Sequence, residues 1–153
     1  MRMLCKLLLI FIFSNAITVY VNGQTFNGNA HVSGGGTAVE FGKKSTFVFN
    51  AIETQGGIVG HLVYHLRAFN VSFQMNIDCM EIRGNRATIS GTATSITGAN
   101  IPGYIFPGAR ASFTVEDNGN GGNRDRISDV VFGAQCGWDL ETYIKVQGNI
   151  SIR

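Results

Sequence analysis

A chain of 153 residues has room for one domain, and 20 glycines against 2 prolines, with a good supply of Val, Ile, Thr and Phe, favour short strands and tight turns over helices or disorder. The formal charge of +2 includes Arg2 and Lys6; without them the 12 Lys+Arg fall to 10 against 10 Asp+Glu, so the remainder is formally neutral. Its basic residues are scattered rather than gathered on a face, which sets aside nucleic-acid binding, where a phosphate backbone requires clustered positive charge.

Residues 1–23 read as a secretory signal peptide: basic Arg2 and Lys6, a largely apolar run from Leu7 to Val21, and small residues near Gly23. Cleavage after Gly23 leaves Gln24 as the new terminus, with cleavage after Ala16 as the competitor. Ser14, Asn15 and Asn22 interrupt an apolar stretch already shorter than the ~20 residues of a bilayer span. A secreted, extracellular domain is therefore expected over residues 24–153, with no membrane span after cleavage and no anchor motif at Ile152-Arg153.

In chain order, a short first strand is expected near Phe26 to Val32, followed by a turn at Gly34-Gly35-Gly36 and a strand within Val39 to Phe49. Gly56-Gly57 marks the next turn and His61 to Ala68 the next strand. The clearest strand is Val71, Phe73, Met75 and Ile77 alternating with Ser72, Gln74, Asn76 and Asp78, one face for a core and one for water. After turn residues at Gly84-Asn85, further strands are expected within Arg86 to Ile96, Arg110 to Asp117, Ile127 to Phe132 and Tyr143 to Ile152. Gly98-Ala99-Asn100 and Asn118 to Asn123 supply loops, and Ile101 to Pro107 and Gly137 to Glu141 each have room for a turn of helix. The total is about eight strands in a single antiparallel all-β domain, either a sandwich or a closed barrel.

Candidate chemistry is sparse. With Cys5 lost in the leader, Cys79 and Cys136 remain as an even pair in an oxidising compartment, and a disulfide between them is expected to contribute on the order of 4 kcal/mol in the chain-entropy model. Two buried free thiols are the alternative. His61 and His65 share a strand face but stand ~13 Å apart along it, too far to ligate one ion. Asp117, Asn118, Asn120, Asn123 and Asp125 gather oxygen donors in a glycine-rich loop, the raw material of a calcium site. Against that, the bidentate Glu of an EF-hand is missing, Arg124 and Arg126 add opposing charge, and the same residues suit a loop in which Asp117 and Asp125 bond backbone amides. No other cofactor is indicated. No Ser, Cys or Thr sits in a nucleophile elbow or triad spacing, and Glu53, Glu81, Glu116 and Asp117 are carboxylates without a legible pairing. Tyr104 and Phe106, between glycines and prolines, form the aromatic pair expected at the surface as a binding platform. Asn70-Val-Ser72 and Asn149-Ile-Ser151 match the acceptor pattern for N-glycosylation.

Several segments together resemble a group of small secreted, mostly bacterial proteins carrying domains labelled post-choice-of-anchor-protein. They are His31-Val32-Ser33-Gly34-Gly35-Gly36, Thr46 to Asn50, Gly60 to Tyr64, Gly84 to Gly91, Phe113 to Gly119 and Gly148-Asn149-Ile150. The resemblance spans nearly all of the mature chain and implies secretion and a β fold; the group brings no established reaction, cofactor or partner. The chain departs from the pattern at Arg124-Asp125-Arg126-Ile127, where the group tends to have a Pro-Gly and an Asp before an apolar run.

The sequence therefore points to a secreted noncatalytic domain for recognition, adhesion or a matrix, with an extracellular protein or carbohydrate as partner. One alternative is an eight-stranded barrel that carries or converts a small ligand, in the manner of lipocalin-like or dirigent-like proteins, with inward polar residues such as Arg67 or Glu81 lining a cavity. The other is a structural domain stiffened by calcium.

Overall fold

A computed structural model describes residues 29–99, 101–119 and 123–153. The leader, the first part of the strand expected near Phe26 and the loop residue Asn120 lie outside the described residues.

The strands are β1 (His31–Glu40), β2 (Lys43–Thr54), β3 (Gly57–Leu66), β4 (Val71–Arg83), β5 (Arg86–Gly98), β6 (Arg110–Glu116), β7 (Arg126–Ile127), β8 (Val131–Phe132) and β9 (Ile144–Ile152). Hydrogen bonding runs β5-β4-β3-β2-β1-β9-β7-β6, and a further β5–β6 ladder closes the ring, so the fold is an antiparallel eight-stranded barrel with β8 as an extra strand. Closure decides between the two architectures that the sequence left open. It also removes the exposed strand edges that an open sheet presents.

The glycine triplet is not a turn. Gly34, Gly35 and Gly36 lie inside β1, which runs on to Glu40, and the reversal falls at Phe41-Gly42, both at positive φ (50° and 76°). Close approach explains the glycines: Gly36 faces Gly148 across the β1–β9 ladder, and a Cβ on Gly148 would come 2.1 Å from the Gly35 carbonyl oxygen. The two segments with room for a turn of helix, 101–107 and 137–141, contain turns and extended chain.

Alternation sends one face of each strand inward. Phe47, Phe49 and Ala51 of β2, Leu62 and Tyr64 of β3, Phe73, Met75 and Ile77 of β4, and Ala111, Phe113 and Val115 of β6 are all buried in one core. The aromatic rings form a belt around the inside, Phe49 on Phe47, Phe47 on Tyr64, Tyr64 on Phe73 and Phe73 on Phe132, with centroids 5.4–6.3 Å apart. An eight-stranded barrel is just wide enough for side chains to fill, and here they do fill its middle.

A second, polar layer lies outside the wall. Thr88 and Ser90 of β5 and Thr114 and Ser112 of β6 point outward yet are buried, and they pair across the ladder as Thr88–Thr114 and Ser90–Ser112. The segment 133–142, a strap between β8 and β9, meets this layer at Thr114. The Cys79–Cys136 disulfide (Cα–Cα 6.1 Å) fastens the strap to β4, and the Leu140 amide donates to Thr114 Oγ1. Arg86 holds it from β5, donating to Asp139 Oδ1 (2.7 Å), Leu140 O and Thr142 Oγ1 as well as to Glu116.

Candidate functional site

The barrel has two unlike ends. At the end carrying the β2–β3 and β4–β5 turns, residues 117–119 and 123–125 close the seam left because β7 pairs with only the start of β9. Its carboxylates stand in for strand carbonyls. Asp125 accepts from the amides of Asn118 (3.0 Å) and Ile150 (2.7 Å), and Asp117 accepts from those of Gly119 (2.9 Å) and Ile152 (3.1 Å). The side chain of Asn118 bonds Glu116 Oε1 and Arg124 O, and Asn123 takes a positive φ of 57°. The expected calcium ligands thus divide: Asp117, Asn118 and Asp125 knit backbone, and Asn120 lies outside the described residues. Among the described residues, no three His, Cys, Asp or Glu side chains gather as a metal site.

The opposite end is a mouth. Here the Phe41-Gly42 turn, the Arg67–Asn70 turn, the chain at 102–105 and residues 129–132 surround an open, mainly apolar pocket of about 450 Å³. That lies within the range of about 300–1,000 Å³ usual for small-molecule sites. It opens because β1 outruns its neighbour: the β1–β9 ladder ends at Ala38–Val146, and Val39 and Glu40 continue on the β2 ladder alone. On the other side, β6 pairs with β7 and then β8 in registers differing by one residue, a bulge at 128–130 that brings Asp129 to the opening.

Two polar groups at the pocket are buried and unmatched. Glu40 is 6% exposed and Tyr64 1%; the Tyr64 hydroxyl approaches the Glu40 carboxylate, but neither Glu40 Oε2 nor that hydroxyl reaches good hydrogen-bond geometry with any partner among the described residues. A buried polar atom left this way costs about 1–3 kcal/mol, more for a charge, so the pair is an expense to the fold. Burial, then the charge of the Glu40 carboxylate and the hydroxyl's hydrogen-bonding approach to it, push the Tyr64 phenol far above its ordinary range, so it stays protonated and can donate. Beside them, Tyr143 donates to an Asp129 carboxylate oxygen, and that bond first, then burial, pushes its phenol up to about 12. The pocket therefore presents two carboxylates and a protonated phenol against aromatic walls. A phenol beside a carboxylate can orient a polar head, and it is also the raw material of acid–base chemistry.

The rim is aromatic. Phe41 is 69% exposed and meets Phe69 edge-on at 5.0 Å, joining the first and third turns, and Tyr104 lines the pocket from the 102–105 segment. Of the two aromatic residues expected at the surface, both are exposed, but only Tyr104 belongs to the pocket lining; Phe106 lies outside it. Arg67 and Glu81 do not line the cavity: Arg67 is exposed on the third turn, and Glu81 pairs with Arg83 on the outer wall. Asn70 is exposed at positive φ (53°) beside Phe69, and Asn149 is exposed on β9. His61 and His65 remain on the outer face of β3, where His65 bonds Ser72 Oγ at 2.7 Å.

No protein-family model, curated protein or solved structure matches the chain.

Glu40 and Tyr64 were missed as site residues. Period two does place both inward, Glu40 with Ala38 and Tyr64 with Leu62. What alternation lacks is the partner: nothing in one strand shows that two polar atoms meet at a mouth.

Proposed function

We propose that the protein is a secreted, noncatalytic binding barrel that holds a small, largely apolar ligand in its mouth, with Glu40 and Tyr64 fixing a polar head. The single observation that carries this reading is the buried pair of Glu40 Oε2 and the Tyr64 hydroxyl, neither in good hydrogen-bond geometry among the described residues and both set against an apolar pocket. Ser45 Oγ is also buried without a partner, but Glu40 and Tyr64 line the pocket, where a ligand that bonds them recovers the penalty on binding. The filled barrel middle confines the ligand to the mouth, in contrast to a carrier that swallows its cargo. Binding through the turns at one end also fits the extracellular recognition role suggested by composition and by the leader. The lining carries no His, Cys, Ser or Lys, which favours holding a ligand over nucleophilic chemistry.

The test is a backbone amide NMR titration with small aromatic compounds of cationic, neutral and anionic head group. Shifts concentrated at Phe41, at Leu66 to Val71 and at 129–132 support the reading. Shifts absent from the mouth with all three head types overturn it.

A further inference from the structure

We infer that the mouth selects an organic cation, a protonated amine or quaternary ammonium carried on an aromatic or aliphatic body; this inference rests on the mouth being a ligand site.

Charge complementarity is the first ground. The ionisable side chains that line the pocket are Glu40, Asp129, Tyr64 and Tyr104; no lysine or arginine is among the lining residues. Glu40 takes part in no ion pair among the described residues, and neither does Asp129. The nearest cation by register is Lys43, opposite Glu40 across the two-residue turn, and its side chain is exposed and likewise without an ion pair. An anionic head would meet two carboxylates, and a neutral head would leave the buried acid without a counter-charge. An ammonium supplies both N–H donors and charge, and hydrogen bonds to charged groups are about twice as strong as neutral ones.

The walls are the second ground. Phe41 and Phe69 at the rim, Tyr64 and Phe73 on the floor, and Tyr104 and Phe132 at the sides present rings to the same space. A cation over an aromatic face is attracted by the ring quadrupole, most strongly where water is excluded. Aromatic rings closed around a carboxylate form a site for alkylated or aryl ammonium ions, and the apolar surface of the rings accepts the ligand body.

The buried carboxylate is the third ground, because it separates a site from a merely sticky patch. A patch would have left its acids in water. Here Glu40 is buried at the end of β1, on the strand face shared with Ala38, and among the described residues the only polar group that approaches its carboxylate is the Tyr64 hydroxyl, itself without a partner in good geometry.

Calorimetric titration of the full protein with 4-phenylbutylamine, 4-phenylbutanol and 4-phenylbutanoate tests the inference, since the three share one body. The expected order is amine first by about tenfold or more over the alcohol, the scale of one charge-assisted bond, with the carboxylate weakest. Glu40→Gln should lower amine affinity by about tenfold and leave the alcohol within about threefold. Tyr64→Phe should weaken amine and alcohol alike. Equal binding of amine and alcohol, or preference for the carboxylate, overturns the cation inference and leaves the mouth as a site. Binding of none of the three overturns both. If Glu40→Gln fails to fold, the ranking of the three compounds on the unaltered protein still decides.

Discussion

Glu40 and Tyr64 are held at a cost to stability, and that cost is measurable. Replacing Tyr64 by Phe removes an unmatched hydroxyl while keeping the ring stacked between Phe47 and Phe73, so the variant should be more stable by about 1 kcal/mol. Glu40→Gln should stabilise by a similar amount, through removal of a buried charge. Urea melts of both variants check this, and a loss of stability would mean that the two atoms serve the fold rather than a ligand. Asp125 makes the opposite case. It is 5% exposed and accepts two backbone amides, so Asp125→Ala should cost about 3 kcal/mol, measured in the same melts. The sequence made its position legible, and a structural role for it as a backbone acceptor was one of two readings; the unmatched pair at the mouth was not legible, because burial without a partner is a property of the assembled barrel.

The strap of residues 133–142 and the strands beneath it act as one element, pinned by a disulfide and by the Arg86 cluster. Cys136→Ser opens a link between residues 57 positions apart and should lower stability by about 4 kcal/mol, while affinity at the mouth is kept, since Cys79 lies in the half of β4 away from it. Glu116 adds a pH dependence. The Thr142 hydroxyl, with Asn118 and the Arg86 and Arg126 charges, holds its carboxyl below the ordinary range against the opposing effect of burial. A folded pKa below the unfolded one gives stability that is present above the unfolded value of about 4.3. That stability is lost as the pH falls through the lowered folded value. Glu116→Gln should therefore be the less stable form at neutral pH, with the gap closing as the medium becomes more acid than pH ~4. Strand positions at this scale were largely readable from alternation, from the clear run at Val71 to Ile77 through to β9. The glycine triplet misled because glycine serves both turns and close strand approach, and only the pairing of Gly36 with Gly148 distinguishes the two. Gly148→Ala should cost about 1–3 kcal/mol by forcing the strands apart.

As a whole, the molecule divides its labour along the barrel axis. One end is sealed by carboxylates that bond the backbone of β9, the middle is filled by an aromatic belt, and the other end opens where β1 outruns β9 and a bulge turns Asp129 toward the opening. Closure of the ring was beyond the sequence, since no local pattern tells β5 to pair with β6 as well as β4. Charge at the mouth follows from the same geometry, with Glu40 and Asp129 set among the aromatic residues of the lining. The most direct measurement is a crystal structure of the protein with 4-phenylbutylamine bound. The ring is expected among Phe41, Phe69 and Phe132, with the ammonium nitrogen at about 3 Å from a Glu40 oxygen. An amine lodged elsewhere, or seated in the mouth with its nitrogen turned to solvent, would contradict it.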